Sequence, residues 1–270
     1  MRILKAELSE PNPQETKTHI RQLLREKKMK AITRTGCFII TALVFLSINL
    51  ASPGFAAEGV IKLPEPSLKS DVSIEQAMAA RRSLRTFADT PVTLGELSQL
   101  LWAAQGITEP EKGLRTAPSG MAKYPLTVFL ACFNTTGVSQ GIYRYNPTGH
   151  DLTLITEGDT MDSFRRNPPP ASSEAPTNAP AAEASRPRTA RPDPVSTSAA
   201  ALVITADTEA MGASGYYLEA GHVAQNIVLQ CVPLDMGGVT TAGFNADNLK
   251  KALNLSDTEI PVYVIPVGKK

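Results

Sequence analysis

Arg81-Arg82-Ser83-Leu84-Arg85-Thr86-Phe87, Ala117-Pro118-Ser119-Gly120-Met121-Ala122-Lys123-Tyr124-Pro125 and Glu219-Ala220-Gly221-His222-Val223-Ala224-Gln225-Asn226, read in that order, decide the fold of this chain. The first stretch puts three arginines within five residues. Guanidinium forks pair with phosphate oxygens in fixed geometry, so the spacing suits a dianionic phosphate. Alone, the cluster fits a solvated basic helix end better, where positive charge meets the negative end of the helix dipole. The second stretch offers a restrained loop whose backbone can approach a planar ligand, with the Ser119 hydroxyl to spare; alone it is an ordinary turn. The third reads as a buried helix. Taken together, the two later stretches tip the first toward the phosphate reading.

The flanking sequence supplies elements of mixed type. Ser73 is placed to cap a helix over Ile74, Ala77, Met78 and Ala80 that delivers the arginines at its end. Thr93 starts a second helix, in which Leu94, Leu97, Leu100, Leu101 and Ala104 recur at helical spacing, and Gly106 ends it. A loop over 107–125 carries the Pro-Ser segment. Residues 127–133 form a continuous apolar run of strand length. Residues 141–145 and 152–155 flank the turn Asn146-Pro147-Thr148-Gly149 and read as a hairpin. Residues 201–205 predict a buried strand, 217–232 a long helix, 247–253 a short helix and 260–267 a final strand. This order, with a hairpin, predicts an α+β domain around one sheet.

Two stretches fall outside that domain pattern. Residues 37–50 form an apolar run of 14, short of the roughly 20 needed to span a bilayer. Lys27, Lys28, Lys30 and Arg34 precede it and small residues follow through Ala57, which describes a secretory signal peptide cut after Ala56 or Ala57. Met29 would open a more ordinary signal than Met1. The chain is therefore expected to be exported, periplasmic or secreted, with an uncleaved N-terminal membrane anchor as the alternative. The second stretch is 165–198, with eight prolines, no aromatic residue and Val195 as its one sizeable aliphatic side chain. It cannot bury enough apolar surface to offset its ordering entropy, and is expected to be a disordered insert or a surface loop. The domain plan is thus a lead and signal over 1–57 and a domain over 58–270 interrupted at 165–198.

Beyond residue 57 there are 18 Lys and Arg against 22 Asp and Glu, a net charge of −4. That balance gives no basic excess for nucleic acid and no basic face for a membrane surface. Cys132 and Cys231 read as two buried thiols, since free cysteine is often buried; no cysteine framework supports a disulfide between them. Glu219 and His222 share a helix face at i, i+3, but no second acid–histidine pair exists to complete a metal site, so a structural hydrogen-bonding role is favoured and no metal is expected. Asn226 and Gln225 are expected to satisfy buried partner groups. Ser119 lacks the G-x-S-x-G frame of a hydrolase nucleophile, and neither a Walker A nor a dinucleotide fingerprint is present. Gly243, closing the small-residue stretch 237–243 before a helix, would let backbone N–H groups face a ligand closely; alone it reads as a permissive turn.

The stretches RRSLRTF (81–87), LSQLLWAAQGIT (97–108), RTAPSGMAKYPL (115–126), GIYRYNPTGHDL (141–152), LVITAD (202–207), YLEAGHVAQNIVLQ (217–230) and IPVYVIPVGK (260–269) stand in an order that resembles the FMN-dependent nitroreductase superfamily. The likeness covers about residues 71–160 and 199–270 and looks closest to the SagB-type, azoline-oxidising branch. It implies a mixed, mainly antiparallel sheet flanked by helices, an obligate homodimer, and one FMN per site at the dimer interface. By that resemblance Arg81, Arg82, Ser83 and Arg85 would hold the phosphate and ring edge. Pro118 and Ser119 would contact the isoalloxazine, Gly243 would lie near flavin N5, and Lys269 would return to the phosphate. The implied reaction is ping-pong hydride exchange, with NAD(P)H as a candidate donor and a small or peptidic substrate; no side chain is singled out as catalytic, because the flavin carries the chemistry.

Departures from the pattern accompany the likeness. The better-known branch has Asn and Gln where Ala122 and Tyr124 stand, which favours the SagB-like branch. The insert at 165–198 replaces a helix-and-strand lead-in, and 208–215 looks abbreviated. The alternative reading is a catalytically degenerate flavin- or ligand-binding module of the same fold.

Overall fold

The computed structural model describes residues 59–165 and 193–270, together with Arg21, which is helical. The chain divides into two units, Met1–Ala56 and Ala57–Lys270. The expected signal segment and residues 166–192 of the expected insert lie outside the described residues.

Eleven strands and four α-helices are described in the second unit. The strands are β1 (Val60–Lys62), β2 (Val92–Thr93), β3 (Ile107–Glu109), β4 (Leu114–Arg115), β5 (Leu126–Cys132), β6 (Thr135–Thr136), β7 (Gly141–Asn146), β8 (Asp151–Glu157), β9 (Ala200–Asp207), β10 (Met236–Gly238) and β11 (Glu259–Lys269). The helices are α1 (Ile74–Ala80), α2 (Leu94–Gln105), α3 (Ala213–Gln230) and α4 (Ala246–Ala252). Seven strands form one sheet in the order β1-β8-β7-β5-β9-β11-β10. Every pairing within it is antiparallel. Among the described residues, parallel pairing is confined to β2 with β6 and to a single bridge between Ser83 and Gly238. The fold is α+β, as the element order predicts.

Local chemistry explains the helix starts. The Ser73 hydroxyl accepts from Gln76 N at 3.2 Å and the Gln76 side chain accepts from Ser73 N at 2.8 Å. Thr93 and Glu96 repeat the arrangement at the head of α2. Each reciprocal pair satisfies two N–H groups that a helix start otherwise leaves without partners. Helix α3 begins four residues ahead of the expected Tyr217, because Tyr216 is itself buried and extends the apolar face.

The sheet is covered on both sides, which period-2 alternation along β5 makes visible. Val128, Leu130 and Cys132 point into a core shared with Leu97, Leu100 and Leu101 of α2 and Val223 and Ile227 of α3. Phe129 and Ala131 point the other way, with Phe133 at the strand's end, toward Leu249 of α4, Phe164 and Val195. Central strand β9 is buried from Ala200 to Ala206, as a strand covered on both faces must be. Cys132 and Cys231 are buried free thiols.

The described end of the expected insert differs from the expectation. Residues 193–198 are not disordered but form a packed 3-10 turn over Pro194–Thr197, with the Asp193 side chain accepting from Val195 N at 3.1 Å. Val195 is 1% exposed and belongs to the second core. One aliphatic side chain seated beside Phe164 and Phe133 suffices to order the turn, so the domain resumes at Asp193. The 107–125 loop also differs in detail: its first half is a short hairpin of β3 and β4.

Candidate functional site

After α1 the chain does not coil away but docks on the edge of the sheet. Leu84 N donates to Gly238 O at 3.1 Å, and Ala88 N donates to Lys269 O at 3.0 Å. Phe87 N donates to the Thr197 hydroxyl at 3.2 Å, so the ordered end of the proline-rich segment also holds this stretch. Two glycines permit the close approach. A Cβ on Gly237 would lie 2.5 Å from Leu84 Cδ2, and a Cβ on Gly268 would lie 2.9 Å from Phe87. Leu84 and Phe87 thus pack inward, while Arg82, Ser83 and Arg85 are exposed and Arg81 is half-buried.

Among the described residues none of the three arginines makes an ion pair. Arg82 Nη1 donates to Ala79 O at 2.9 Å and to Arg81 O at 2.7 Å, so its guanidinium folds back on the end of α1. That is the helix-end role the cluster suggests when read alone. Arg85 makes one long contact of 3.5 Å to Ser83 O. Three guanidinium groups on one short segment without a carboxylate present an electrostatic environment fitted to a doubly charged phosphate.

The Pro-Ser loop is anchored by a buried acid. Glu219 of α3 is 6% exposed and one of its oxygens accepts twice: from the Ser119 hydroxyl at 3.0 Å and from Gly120 N at 2.7 Å. Ser119 Oγ in turn accepts from Tyr124 N at 2.8 Å. Between these ties Met121, Ala122 and Tyr124 have φ of 55°, 54° and 47°. Left-handed backbone at three non-glycine residues costs of order 1 kcal/mol or more each and persists only where the surroundings impose it. Such strain clusters at binding sites, and here it leaves Pro118 and Met121 exposed on a fixed loop. Asn226 donates to Thr116 O at 3.3 Å, while His222 and Gln225 are exposed. Sequence reasoning found the hydrogen-bonding role of Glu219 but not its partners, which lie about 100 residues away.

Gly243 lies exposed two residues ahead of Asn245, the residue that caps α4, and its N–H donates to the Thr241 hydroxyl at 3.1 Å. Lys269 departs from the expectation that it reaches toward the phosphate. Its backbone lies beside the arginine segment, but its ammonium pairs with Glu96 and donates to Leu234 O at 3.1 Å. Burial raises the Glu96 pKa, but hydrogen bonds from Lys269 and Thr93 outweigh it and the net shift is downward. Lys270 is a charged tail paired with Asp235 at 3.2 Å. The structure therefore brings the arginine segment and the Lys269 backbone together, and leaves the Ser119 loop and Gly243 on separate elements, with no hydrogen bond joining the three groups among the described residues. A cleft of about 850 Å³ between the 64–74 segment, α2 and α3 contains none of the expected binding residues.

Comparison with known proteins agrees with this geometry. The nitroreductase family profile matches residues 78–269, a span that includes nearly all of the elements above. A protein of Methanocaldococcus jannaschii carrying a provisional nitroreductase name is 30% identical over 217 residues, covering 78% of this chain and 96% of its own. A crystal structure of a provisionally named nitroreductase from Ralstonia eutropha JMP134 shares 28% identity with a TM-score of 0.62, covering 79% of this chain and 90% of that one. The E. coli microcin synthetase McbBCD complex, solved with truncated pro-MccB17, superimposes with a TM-score of 0.54 at 23% identity over 78% of each chain, a likeness of fold. With its sheet order, its docked arginine segment and this match over most of its length, the chain belongs to the nitroreductase family.

Proposed function

We propose that this nitroreductase-family oxidoreductase is FMN-dependent and assembles its sites as a homodimer. The carrying observation is the docked segment 81–88. Its apolar residues are fixed on glycines of β10 and β11, so the guanidinium groups of Arg81 and Arg85, with the Ser83 hydroxyl, are held on an ordered backbone without carboxylate partners. These residues would bind the phosphate. Arg82 would join them by releasing the end of α1. The strained loop would place Pro118 and Ser119 against the ring, and Gly243 would lie near it.

When bound, FMN would supply two-electron hydride-transfer chemistry, with a substrate or NAD(P)H as donor and a ping-pong order of exchange. The protein would orient the reactants around it. Ala122 and Tyr124 favour a SagB-type dehydrogenase acting on a small or peptidic substrate. The basic, apolar and small-residue order of 27–57 supports export.

The dimer reading rests on exposed apolar side chains and on the separation of the binding groups. Ile74 and Met78 of α1 and Tyr217 and Leu218 of α3 are all exposed, and the two helices pack on one another. Large exposed apolar side chains grouped on packed helices are the kind of surface that marks an interaction face. A second copy on that face would complete a site whose parts do not meet within one protomer.

A second reading, a flavin- or ligand-binding module without turnover, is favoured by one observation: the Lys269 ammonium is already satisfied by Glu96 and Leu234. A visible absorbance spectrum of the purified protein separates the two. Bound flavin that bleaches on anaerobic addition of NADPH supports the enzyme. Flavin that binds and never bleaches with NADH or NADPH leaves the module, and a colourless protein that FMN cannot reconstitute contradicts both.

A further inference from the structure

The loop carrying Pro118 and Ser119 rests on a carboxylate without a counter-charge. Glu219 of α3 is 6% exposed, so more than nine-tenths of it is buried. Its Oε1 accepts from the Ser119 hydroxyl at 3.0 Å and from Gly120 N at 2.7 Å. Both neighbours donate, and the carboxyl acts purely as an acceptor, as an ionised one does; a protonated one would bring a donor of its own. The Gly120 contact lies at the short end of the N–H···O range, where charge-assisted bonds are found.

The second oxygen, Oε2, makes no hydrogen bond among the described residues. It is not sealed in either, because the fully buried polar side-chain atoms without a partner among these residues are Arg115 Nε and Thr160 Oγ1. No described cation pairs with Glu219. Lys123, in the same loop, and His222, three residues along α3, are both exposed and neither bonds to it. At Gly120 the carboxylate has an apolar neighbour instead. A Cβ placed on that glycine would lie 3.7 Å from Glu219 Oε1 and 3.4 Å from Met211 Cε, and a methyl thioether screens charge poorly. Glu219 therefore does two things at once: it fixes the loop through Oε1, and it keeps one uncompensated negative charge beneath it.

We propose that this charge holds down the reduction potential of a flavin seated on the Ser119 loop, an inference that rests on the FMN reading above. Hydride uptake brings two electrons and one proton to an oxidised, neutral ring and so adds one negative charge to it. A fixed carboxylate nearby opposes that added charge and leaves the oxidised ring untouched. Glu219 is thus a positioning residue through its hydrogen bonds and a tuning residue through its charge, and it sets which partners can exchange hydride at the site.

The test is the anaerobic midpoint potential of FMN bound to the full-length protein, compared for wild type, Glu219→Gln and Glu219→Asp. Gln keeps an oxygen for Ser119 and Gly120 but carries no charge. Asp keeps the charge but is one methylene shorter, so it strains the same two bonds. Glu219→Gln is expected to favour the reduced form at least about tenfold more than wild type, an upward shift of about 30 mV for two electrons. That is the size of a unit-charge interaction at roughly 12 Å in an effective dielectric of about 20. Glu219→Asp should stay within about threefold of wild type, because its charge remains. Oxidised FMN, with its neutral ring, should bind wild type and Glu219→Gln alike. A purely structural role predicts the reverse order, with Glu219→Asp displaced and Glu219→Gln like wild type, and that order overturns the proposal. So does a Glu219→Gln protein that no longer binds oxidised FMN. A wild-type protein that takes up no FMN removes the flavin reading and this inference with it, whereas bound FMN whose potential Glu219→Gln leaves unmoved overturns this inference alone.

Discussion

Glu219 organises the loop around Ser119 through one oxygen. It is buried, it accepts from a side chain and a backbone N–H a hundred residues earlier, and the loop it holds is strained at three positions. Replacing it removes the shared acceptor of two hydrogen bonds, from half-buried Ser119 and exposed Gly120. Glu219→Ala is therefore expected to lower stability by about 1 kcal/mol, measured from the denaturant midpoint, while Glu219→Gln keeps an acceptor and loses less. The cysteines make a different prediction. Burial pushes the thiols of Cys132 and Cys231 up to about 12. A free thiol titrates near 8.5, so the fold favours the protonated form. Each group's stabilising effect is complete below the unfolded value and is lost as pH rises toward the folded one. Iodoacetamide at pH 8 should leave both thiols unmodified in the native protein and label both after denaturation, and native stability should fall as pH climbs from about 8.5 toward 12. Sequence patterning anticipated that both cysteines are buried, because each lies in an apolar run. It did not single out Arg115, although that residue sits inside the RTAPSG stretch, since its stacking on Tyr124 and its bond to Gln105 are properties of packing and not of order along the chain.

The arginine segment is useful only because another element makes room for it. Leu84 rests on Gly237 of β10 and Phe87 on Gly268 of β11, where any Cβ would collide. Gly237→Ala would place its new atom 2.7 Å from Leu84 Cβ, which cannot swing aside as a side-chain tip can. The variant is expected to lose about 1–3 kcal/mol of stability, as overpacked positions do, and to weaken FMN binding by displacing the arginines. Unchanged melting and unchanged flavin affinity would show that the segment does not depend on this contact. Elements with strong local signals were legible in advance: Ser73 and Thr93 cap α1 and α2, and the apolar runs became β5, β9 and β11. Elements defined by long-range pairing were not. Strand β1 is three residues fixed by β8, and β10 is a Met-Gly-Gly strand whose pairing to β11 outweighs the poor strand preference of glycine. The turn at Pro194–Thr197 escaped for the same reason. Its composition is that of a disordered tract, and Val195 orders it only because a partner cluster is waiting.

On the scale of the folded unit, the seven-stranded antiparallel sheet separates two cores. Helices α1 and α3 expose Ile74, Met78, Tyr217 and Leu218. If that face joins two copies, light scattering of the purified protein should give twice the protomer mass, and Leu218→Glu should shift the equilibrium to monomer with loss of flavin. A variant that stays dimeric would place the interface elsewhere.

The central claim is that the docked arginines recognise a phosphate. Isothermal titration with FMN and with riboflavin, which lacks that phosphate, tests it directly. The wild-type protein should bind FMN at least about tenfold more tightly than riboflavin, and Arg81→Glu/Arg85→Glu should erase the difference. Equal affinity for the two ligands in the wild type, or an FMN affinity that the double variant leaves unchanged, would contradict the account.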